Sequence, residues 1–465
     1  MLLLLFGCKV GPNYKRPVVD TPQTFRGAMA PDINPENSTQ SLGDEQWSDV
    51  FKDPVVKQLI GQALANNFDA RIAAQRVAEA EAQAGIVRSQ QFPSISVGGN
   101  ETVLRLPTAL VQNYNNRSGN SGGNSLFYGG GFSASSAWNL DFWGLYRRQT
   151  EAARAQLLAT EWGERATRMA VVESVAQAYL QLRTLDRQLE ITKRTIAARQ
   201  DSLHLTRVLE EHGAGSLADV RQAEELLYAA NVNLPLLTQA IEQQENNLSV
   251  LLGHNPGPVA RGLEITDQPH PAEIPAGIPS RILERRPDIL QAEANLIAAN
   301  AEIGVAKAQF FPQMSLTALA GTSTNQLNTL FNQKNAYWYA AGSFSQSVFD
   351  AGRLRNNYRL SKSVEQETLV NYQKTIAGAF RDVANALIAY RKTRERREQQ
   401  ERETEATAGA VSLARVRYNG GNTSYLEVLT NDTNLYNAQL TLADTEQQEA
   451  LSLVQLYAAL GGGWQ

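Results

Sequence analysis

The chain of 465 residues has one cysteine, four histidines and four methionines. A single cysteine excludes an intrachain disulfide, and the scattered histidines lack the spacing of metal ligands. The formal net charge of −4 argues against a nucleic-acid partner. No run of about 18 apolar residues occurs, so the sequence predicts no transmembrane helix. These absences leave a soluble protein or a β-barrel, whose strands give only a weak hydropathy signal.

The single cysteine follows a short apolar segment. Residues 1–7 read MLLLLFG, and Cys8 comes next. An apolar run followed by a small residue and cysteine is typical of the end of a bacterial lipoprotein signal, although Phe6 fits that pattern poorly. The alternative is a free cysteine in an apolar N-terminus. We favour lipidation of Cys8, with residues 1–7 as a residual signal segment and with no cofactor apart from the covalent lipid.

The sequence contains an internal duplication. One constant separation relates Gly144 to Gly352, Arg147 to Arg355, Arg207 to Arg415, Ser216 to Ser424 and Gly253 to Gly461. A slightly longer separation relates Asp69 to Asp288 and Pro93 to Pro312. The change of separation places a short insertion between Pro93 and Gly144. Because the unit is far longer than a solenoid repeat, the chain is a duplicated half-protein whose halves have equivalent structures.

Two alternating segments in each half predict β-strands, because a period of two gives a strand two different faces. In the first half Ile95 and Val97 alternate with small polar residues. The second segment places Phe132, Ala134, Ser136, Trp138, Leu140 and Phe142 on one face. The matching segments hold Met314, Leu316, Ala318 and Ala320, then Trp338, Ala340, Gly342, Phe344, Gln346 and Val348. The chain is therefore predicted to contribute four strands in two hairpins.

Helical periodicity fills most of the remaining sequence. A helical region from about 54 to 91 precedes the first hairpin, and long helices are predicted over 144–212 and 352–420. A continuous helix of that length spans roughly 100 Å, which suggests a coiled coil or a helical tube. Glycine-containing turns at 212–216 and 419–424 end these helices. Shorter helices return from the turns, and Pro235 is expected to kink the first of them.

The predicted organisation follows from these segments. Residues 8–53 form an extended N-terminal arm, 54–253 the first repeat, 254–279 a proline-rich linker and 280–465 the second repeat. The first repeat holds a hairpin over about 93–142, the long helix 144–212 and a return helix 216–253. The second repeat holds a hairpin over about 312–349, the long helix 352–420 and a return helix 424–461.

Four strands with one apolar face need partners if they lie in a membrane. Open sheet edges in hydrocarbon leave backbone groups unpaired, so only closed barrels are stable there. Two chains supply about eight strands, which form a barrel with an interior filled by side chains, whereas three chains leave room for a lumen. A soluble four-stranded sheet, with its aromatic residues in an ordinary core, remains the alternative.

Three long motifs identify a family resemblance. They are residues 8–17 (CKVGPNYKRP), residues 283–289 (LERRPDI) with their continuation to Phe311 and Pro312, and residues 456–464 (LYAALGGGW). Together with the duplication they resemble the outer-membrane efflux family of TolC-like channels over nearly the whole chain. The similarity is greatest to its lipoprotein subfamily, which serves resistance-nodulation-division tripartite pumps.

The resemblance implies a mixed α/β membrane protein that assembles as a homotrimer. Four strands per chain would form a twelve-stranded β-barrel in outer-membrane lipid, and the long helices would form a periplasmic tunnel. The implied partners are a periplasmic adaptor protein and an inner-membrane resistance-nodulation-division transporter. Such channels are passive exit ducts without chemistry of their own, and the sequence offers no nucleophile pattern or phosphate loop that predicts an enzyme.

The resemblance also suggests periplasmic gate residues. Asp219 and Glu427 match acidic tip positions of the two repeats, and Tyr418 matches a tip tyrosine. Thr423 and Thr430 stand where some members carry arginine and aspartate, so the gate bonds of those members do not transfer whole. In a trimer the two acids would place six carboxylates around one axis and favour cations at the mouth. The alternative is that both are helix N-terminal acids stabilised by the helix dipole.

Other functions remain open from the sequence alone. The chain is alternatively an outer-membrane factor of a type I secretion system, or a periplasmic lipoprotein scaffold without a pore. The transported substrate (drugs, dyes, aromatic acids or metal ions) cannot be read from the residues, because recognition lies largely in the transporter. The scattered histidines and methionines disfavour a dedicated path for soft metal ions.

Overall fold

A computed structural model describes residues 9–27, 41–105 and 126–464, except 270, 272–273 and 275–276. The predicted lipidation residue Cys8 and the predicted signal segment, residues 1–7, lie outside the described residues. Helices make up most of the described chain, which also contains one four-stranded sheet.

The first repeat begins with two short helices and ends with two long ones. Its elements are α1 (Pro54–Asn66), α2 (Phe68–Ser89), β1 (Ser94–Arg105), β2 (Leu126–Leu140), α3 (Leu145–Glu211) and α4 (Leu217–Leu251). The start of α1 is fixed locally, because the Asp53 carboxylate accepts a hydrogen bond from the Val55 amide at 2.8 Å. Pro54 occupies the first helical turn, where its missing N–H costs nothing.

The second repeat has the same element order. Its elements are α5 (Pro287–Ala308), β3 (Gln313–Thr324), β4 (Ala336–Ser345), α6 (Arg353–Asn419) and α7 (Tyr425–Ala459). Helices α3 and α6 each have 67 residues, α4 and α7 each have 35, and α2 and α5 each have 22. The predicted duplication is therefore confirmed. The connection from Arg105 to Leu126 is longer than that from Thr324 to Ala336, which agrees with the insertion expected in the first half.

Two residues that usually weaken helices lie inside these elements. Pro235 is within α4, which continues on both sides of it. Gly163 is within α3, and a side-chain carbon at this position would lie 2.8 Å from the Gln291 amide nitrogen. The glycine thus permits a close approach of α5 to α3, which explains why a poor helix former occupies this position.

The sheet is antiparallel throughout, in the order β1-β2-β3-β4. The two repeats join in its centre, where β2 pairs with β3 and Trp138 lies opposite Leu316. Strands β1 and β4 are the edges, and within the described chain neither has a partner on its outer side. Each edge therefore presents a row of unpaired backbone groups.

The two faces of the sheet differ as the alternation predicts. The register places Ile95, Val97, Phe132, Ala134, Trp138, Leu316, Trp338 and Phe344 on one face. Serine pairs line the other face, where hydroxyl oxygens are 2.7 Å apart between Ser96 and Ser135, and 2.8 Å apart between Ser315 and Ser343. Every residue of β1 and β4 is exposed, so among the described residues no helix covers either strand.

The strands end earlier than the alternation predicts. Phe142, Gln346 and Val348 were expected within strands, but β2 ends at Leu140 and β4 ends at Ser345. The cause is helix capping by the residues that follow. The Asp141 carboxylate accepts a hydrogen bond from the Arg147 amide at 2.9 Å, and the Asp350 carboxylate accepts one from the Leu354 amide at 3.0 Å. Each cap turns the chain into a long helix.

The chain divides into two compact units, and each contains parts of both repeats. Among the described residues, the first unit comprises those within 9–17, 79–158 and 294–370, and it includes the sheet. The second comprises the described residues within 18–78, 159–293 and 371–464. A core of the second unit packs α1 against α3 and α4, with Ile60, Tyr179 and Leu248 fully buried. Among the residues that the structure describes, every helix is too short or too polar for a membrane span.

Candidate functional site

Both long helices end in the same kind of turn, within the second compact unit. Gly213 and Gly421 occupy equivalent positions of the two repeats, and each has a φ of +73°. Following them, the Ala214 amide donates to the Leu209 carbonyl and the Asn422 amide to the Arg417 carbonyl, at 2.8 Å and 2.9 Å. These bonds satisfy the last carbonyls of each helix, and glycine adopts the left-handed conformation without strain.

Asp219 lies in the first turn of α4 and completes its cap. The Ser216 hydroxyl accepts a hydrogen bond from the Asp219 amide at 3.2 Å, and the Asp219 carboxylate accepts one from the Ser216 amide at 3.3 Å. This reciprocal pair is a capping box, which satisfies two amides at the helix start. The structure thus supplies the helix-terminal role that the sequence left open for Asp219, and that role is compatible with a second one at the tip.

Glu427 occupies the equivalent place in α7 but is bonded differently. Its carboxylate accepts hydrogen bonds from the Arg417 guanidinium at 3.0 Å and from the Thr423 hydroxyl. Ser424, at the helix start, makes no side-chain capping bond. Thr423, one of the two departures from the family pattern, is therefore a partner of Glu427. The other departure, Thr430, bonds back to the Leu426 carbonyl of its own helix at 2.9 Å.

Tyr418, at the end of α6, lies beside the glycine turns of both repeats. Its ring meets that of Tyr425 edge-on, with centroids 5.3 Å apart, beside a small core that includes Leu203, Val220 and Val428. Burial raises the pKa of Tyr418, and the nearby Asp219 carboxylate and Tyr425 raise it further. The structure therefore brings Tyr418 of the second repeat close to Asp219 of the first.

A buried ionic cluster that the sequence analysis missed lies next to the tips. Asp432 of α7 accepts hydrogen bonds from Arg199 of α3 at 2.8 Å and from Arg415 of α6 at 3.3 Å. Arg199 also donates to the Leu226 carbonyl of α4 at 2.8 Å and lies over the ring of Tyr436, 5.3 Å from its centroid. Arg199 is 4% exposed and Asp432 is 8% exposed. This cluster joins four helices from both repeats.

The first repeat holds a less buried counterpart of this cluster, in which Glu224 has a side chain that is 17% exposed. Glu224 and Arg207 correspond to Asp432 and Arg415 in the duplication, and they pair at 2.8 Å. Arg221 donates to Glu224 as well, at 2.7 Å. The Arg207 and Arg221 hydrogen bonds lower the pKa of the Glu224 carboxyl. The repeated Arg-to-acid spacing was thus a signal for this contact, whereas nothing in the sequence marked Arg199 as the third partner.

The match to a known family covers both repeats. The family profile described as Outer membrane efflux protein matches residues 59–254 and 278–462. The chain belongs to the outer membrane efflux protein family. Among its relatives, the probable efflux pump outer membrane protein TtgC of Pseudomonas putida is 37% identical over 467 residues, which cover 99% of this chain and 94% of TtgC. The cation efflux system protein CusC of Escherichia coli K12 is 32% identical over 465 residues, covering 99% and 97%.

Solved structures of outer membrane efflux proteins have the same fold. A crystal structure of CusC, from work on folding and transmembrane channel formation, matches with a TM-score of 0.87 and 30% identity, covering 98% of this chain and all of that one. The open state of the MtrE outer membrane channel of Neisseria gonorrhoeae matches with a TM-score of 0.87 and 28% identity, covering 98% and 99%. The predicted fold class is thereby confirmed.

In this outer membrane efflux protein the described residues next to Cys8 are held by a buried arginine. Arg148, at 0% exposure, donates to the carbonyls of Val10 and Gly11 at 3.1 Å and 3.2 Å, and to the Asn13 side chain at 2.9 Å. Gly11 packs so closely on Gly304 that a side chain at Gly11 would clash with its backbone. The start of the arm is thus fixed in the first compact unit, and lipidation of Cys8 stays a prediction.

A metal centre has no basis in the described residues, where no three histidine, cysteine, aspartate or glutamate side chains come together. The candidate site of this efflux protein is built from the residues at the ends of the long helices. It consists of the two glycine turns, the acids Asp219 and Glu427 that follow them, Tyr418 beside Asp219, and the Asp432 cluster.

Proposed function

We propose that the chain is the outer-membrane channel of a tripartite efflux pump, acting as a homotrimeric, passive exit duct. An inner-membrane resistance-nodulation-division transporter supplies the substrate, and a periplasmic adaptor joins that transporter to the duct. The duct itself carries out no chemical step. Family membership and the names of the relatives support the pump, and they favour it over the alternative of a type I secretion factor.

The observation that carries this proposal is the two-faced, uncovered sheet. One face presents exposed aromatics, with Trp338 at 79% and Phe344 at 77% exposure, and the other presents paired serine hydroxyls. A soluble scaffold would bury the apolar face under helices, whereas lipid outside and water inside suit both faces. The open edges of β1 and β4 require closure, since unpaired strand edges are not stable in hydrocarbon.

Three copies provide the closure. Twelve strands leave a lumen, whereas the eight strands of two copies are filled by side chains. The helices also retain apolar surface for a second copy. Tyr228, Val232 and Leu236 follow one another at helical spacing on α4, and each is more than half exposed. Such a row is typical of a face that packs against another helix.

The tips form the gate in this proposal. Asp219, Tyr418 and Glu427 lie at or beside the two glycine turns, and the gate opens when contacts between the repeats loosen. Three copies of the two acids surround the axis, which favours cations over anions at the mouth. The covalent lipid on Cys8 anchors the arm in the membrane.

The relatives carry different substrates according to their names. Similar proteins are named for toluene efflux, antibiotic efflux and cation efflux, at 37%, 37% and 33% identity. Comparable identity to pumps of such different cargo supports a duct that does not select the substrate. The transporter then makes the selection, and this chain sets only the charge preference and width of the exit.

Cross-linking tests the closure of the barrel. In a Cys8→Ser background, Ser96→Cys on β1 and Ala341→Cys on β4 should give dimers and trimers with a short bismaleimide, because these strands become neighbours between copies. The control pair Ser135→Cys and Leu319→Cys lies on directly paired positions of β2 and β3. It should cross-link only within one chain. Monomers alone from the edge pair, tested with linkers of several lengths, would refute the closed trimer.

Single-channel conductance tests the duct. Purified protein in a planar bilayer should show a small, cation-favouring conductance that increases when the tip contacts are weakened. A protein that is soluble without Cys8 and shows no conductance would establish the scaffold instead.

A further inference from the structure

Cations cluster where the sheet meets the helices, in the first compact unit. Three positions in or next to the helices that enter and leave the hairpins carry a cation in both repeats, namely Arg88 and Lys307, Arg147 and Arg355, and Arg154 and Lys362. The second repeat adds Arg359. Arg88, Arg154, Lys307, Arg355, Arg359 and Lys362 are exposed. Within the described chain none of these six forms a salt bridge.

Helix stability explains only Arg88 and Lys307, which lie in the last turns of α2 and α5, where the helix dipole favours cations. Arg355, Arg359 and Lys362 lie in the first three turns of α6, and neither α3 nor α6 has an acid in its first turn. The N-terminal end of a helix carries partial positive charge, so Arg355 in the first turn is unfavourable there, while Arg359 and Lys362 lie beyond the reach of the dipole and gain nothing from it. The nearby acids are already engaged, since Asp141 pairs with Arg147, Asp350 caps α6 and Glu151 pairs with Lys9 and Arg148. The six cations therefore lack an internal counterion.

Aromatic side chains mark the same end of the sheet. Phe92, Trp138, Phe310 and Phe344 are between 39% and 77% exposed there. The Trp138 indole nitrogen also donates to the Gln91 carbonyl at 3.0 Å, which fixes the ring beside the start of β1. Aromatic girdles form at the boundary between hydrocarbon and headgroups, with basic residues on the polar side. The cations follow the aromatics on the helical side, where headgroups are expected.

One part of this region is shaped as a cleft. It has a volume of about 580 Å³ and lies between the end of α2 and the start of α3. Arg88 and Arg154 stand at its wall together with Lys9 and Arg147, and the one acid of the wall, Glu151, is neutralised by Lys9 and Arg148. Phe92, Leu158 and Ile297 provide apolar surface. Cationic groups beside an apolar floor suit a ligand with a phosphate and an adjoining hydrocarbon chain.

We propose that these six cations bind the phosphate headgroups of anionic phospholipids in the membrane leaflet next to the helices, with one headgroup in the cleft beside Arg88 and Arg154. The inference rests on the proposed function, because it needs the sheet to lie in a membrane. Headgroup binding fixes the depth and tilt of the channel, since each bound headgroup holds the starts of the helices at the membrane surface.

Native mass spectrometry of the full-length trimer tests the site directly. Titration with phosphatidylglycerol should give bound lipid at lower concentration than titration with phosphatidylethanolamine. The double variant Arg88→Gln with Arg154→Gln should weaken phosphatidylglycerol binding about 30-fold, from about fivefold per cation at a membrane surface. The matched control is Lys193→Gln with Arg402→Gln, which removes two exposed cations from the long helices in the other compact unit. It should leave binding unchanged.

Three results would overturn the lipid site. The first is equal affinity for the two lipids, or equal phosphatidylglycerol affinity of the Arg88/Arg154 variant and the wild type. The second is release of phosphatidylglycerol by inorganic phosphate at the same concentration, which would show recognition of a free anion. The third is a lower melting temperature of the trimer with unchanged lipid binding, which would mean that a second copy covers the cleft.

Conductance of the same samples separates this inference from the proposed function. Wild-type channels that conduct without lipid preference would reject the headgroup site and leave the duct intact. Preserved phosphatidylglycerol selectivity without conductance would reject the duct and retain a membrane-bound protein with the site.

Discussion

Arg199 and Asp432 form a salt bridge of 2.8 Å although they are 233 positions apart and belong to different repeats. Arg415 completes the cluster from the second repeat, so a single carboxylate holds three helices. The contact lies next to the tips where Tyr418 approaches Asp219. It therefore couples the two helical hairpins at the point where the proposed gate would have to separate them.

Removing the Asp432 carboxylate should loosen the tips. We expect Asp432→Ala to lower the free energy of unfolding by about 3 kcal/mol, because two arginines lose their shared partner and Arg199 is left buried and unpaired. Conductance should rise in the same variant. Glu224→Ala in the first repeat is the matched control and should change unfolding less, because its partners Arg207 and Arg221 are exposed and stay hydrated. Equal behaviour of the two variants in thermal unfolding and in bilayers would contradict a special role for the buried cluster.

The tip acids should set ion preference. We expect Asp219→Ala with Glu427→Ala to reduce the preference of the channel for cations while trimers persist, because the mouth loses its carboxylates. Reversal potentials in a salt gradient measure this preference. Ser216→Ala separates charge from capping, since it removes the cap hydroxyl at a cost of about 1 kcal/mol and keeps the Asp219 charge. Unchanged selectivity in the double variant, or the same loss in Ser216→Ala, would count against the charged mouth.

A buried tyrosine should make the protein sensitive to alkali. Burial raises the pKa of Tyr179 to about 12, against an ordinary value of about 10. Below pH 10 folded and unfolded chains both keep the proton, and stability is fully present. As the pH rises towards 12 the unfolded chain loses the proton first, so stability falls.

Tyr179→Phe should change the free energy of unfolding differently at neutral pH and at alkaline pH. At neutral pH it should destabilise the fold by about 1–3 kcal/mol, because Asp53 loses the hydroxyl donor at 3.1 Å and the Gly262 amide loses its acceptor at 2.7 Å. Between pH 10 and 12 the difference in the free energy of unfolding between the variant and the wild type should become smaller. Unfolding curves across this range measure both effects, with the exposed Tyr228→Phe as control. A difference in the free energy of unfolding that stays constant with pH would contradict the titration of Tyr179.

The lipid should be dispensable for assembly. We expect Cys8→Ala to lose the mass of the acyl chains while trimers and conductance remain, because Arg148 and Gly304 hold the start of the arm through protein contacts. Mass spectrometry and gel mobility of the trimer report the two properties. If Cys8→Ala abolished the trimer, the anchor would be structural. Arg148→Gln should instead expose the arm to proteolysis near Lys9 and Lys15.

Local patterns predicted the parts of the fold that depend on short-range physics. Period-two alternation gave the correct faces for Trp138 and Leu316, and the duplication gave helices of equal length in both halves. Strand ends were predicted less well, because Asp141 and Asp350 stop the strands by capping the next helix. Caps compete with strand pairing through single hydrogen bonds, which periodicity does not register.

The site was harder to predict because it depends on which helix faces which. Asp219 and Glu427 look equivalent in the duplication, but one completes a capping box and the other binds Arg417 and Thr423. Arg199 has no repeat partner that would have marked it, since the equivalent position holds Thr407. The division into compact units also crosses both repeats, because each long helix passes from one unit to the other.

The open edges of β1 and β4 also bear on biogenesis. A folded single chain still carries two unpaired strand edges and an exposed apolar sheet face. In the proposed trimer these surfaces are satisfied only after the copies associate. Maturation then becomes a concentration-dependent race between productive association and aggregation. Low expression should therefore reduce the yield of assembled channels more than in proportion to the amount of chain. A chaperone that shields the edges of β1 and β4 before assembly would then determine how many channels the cell contains.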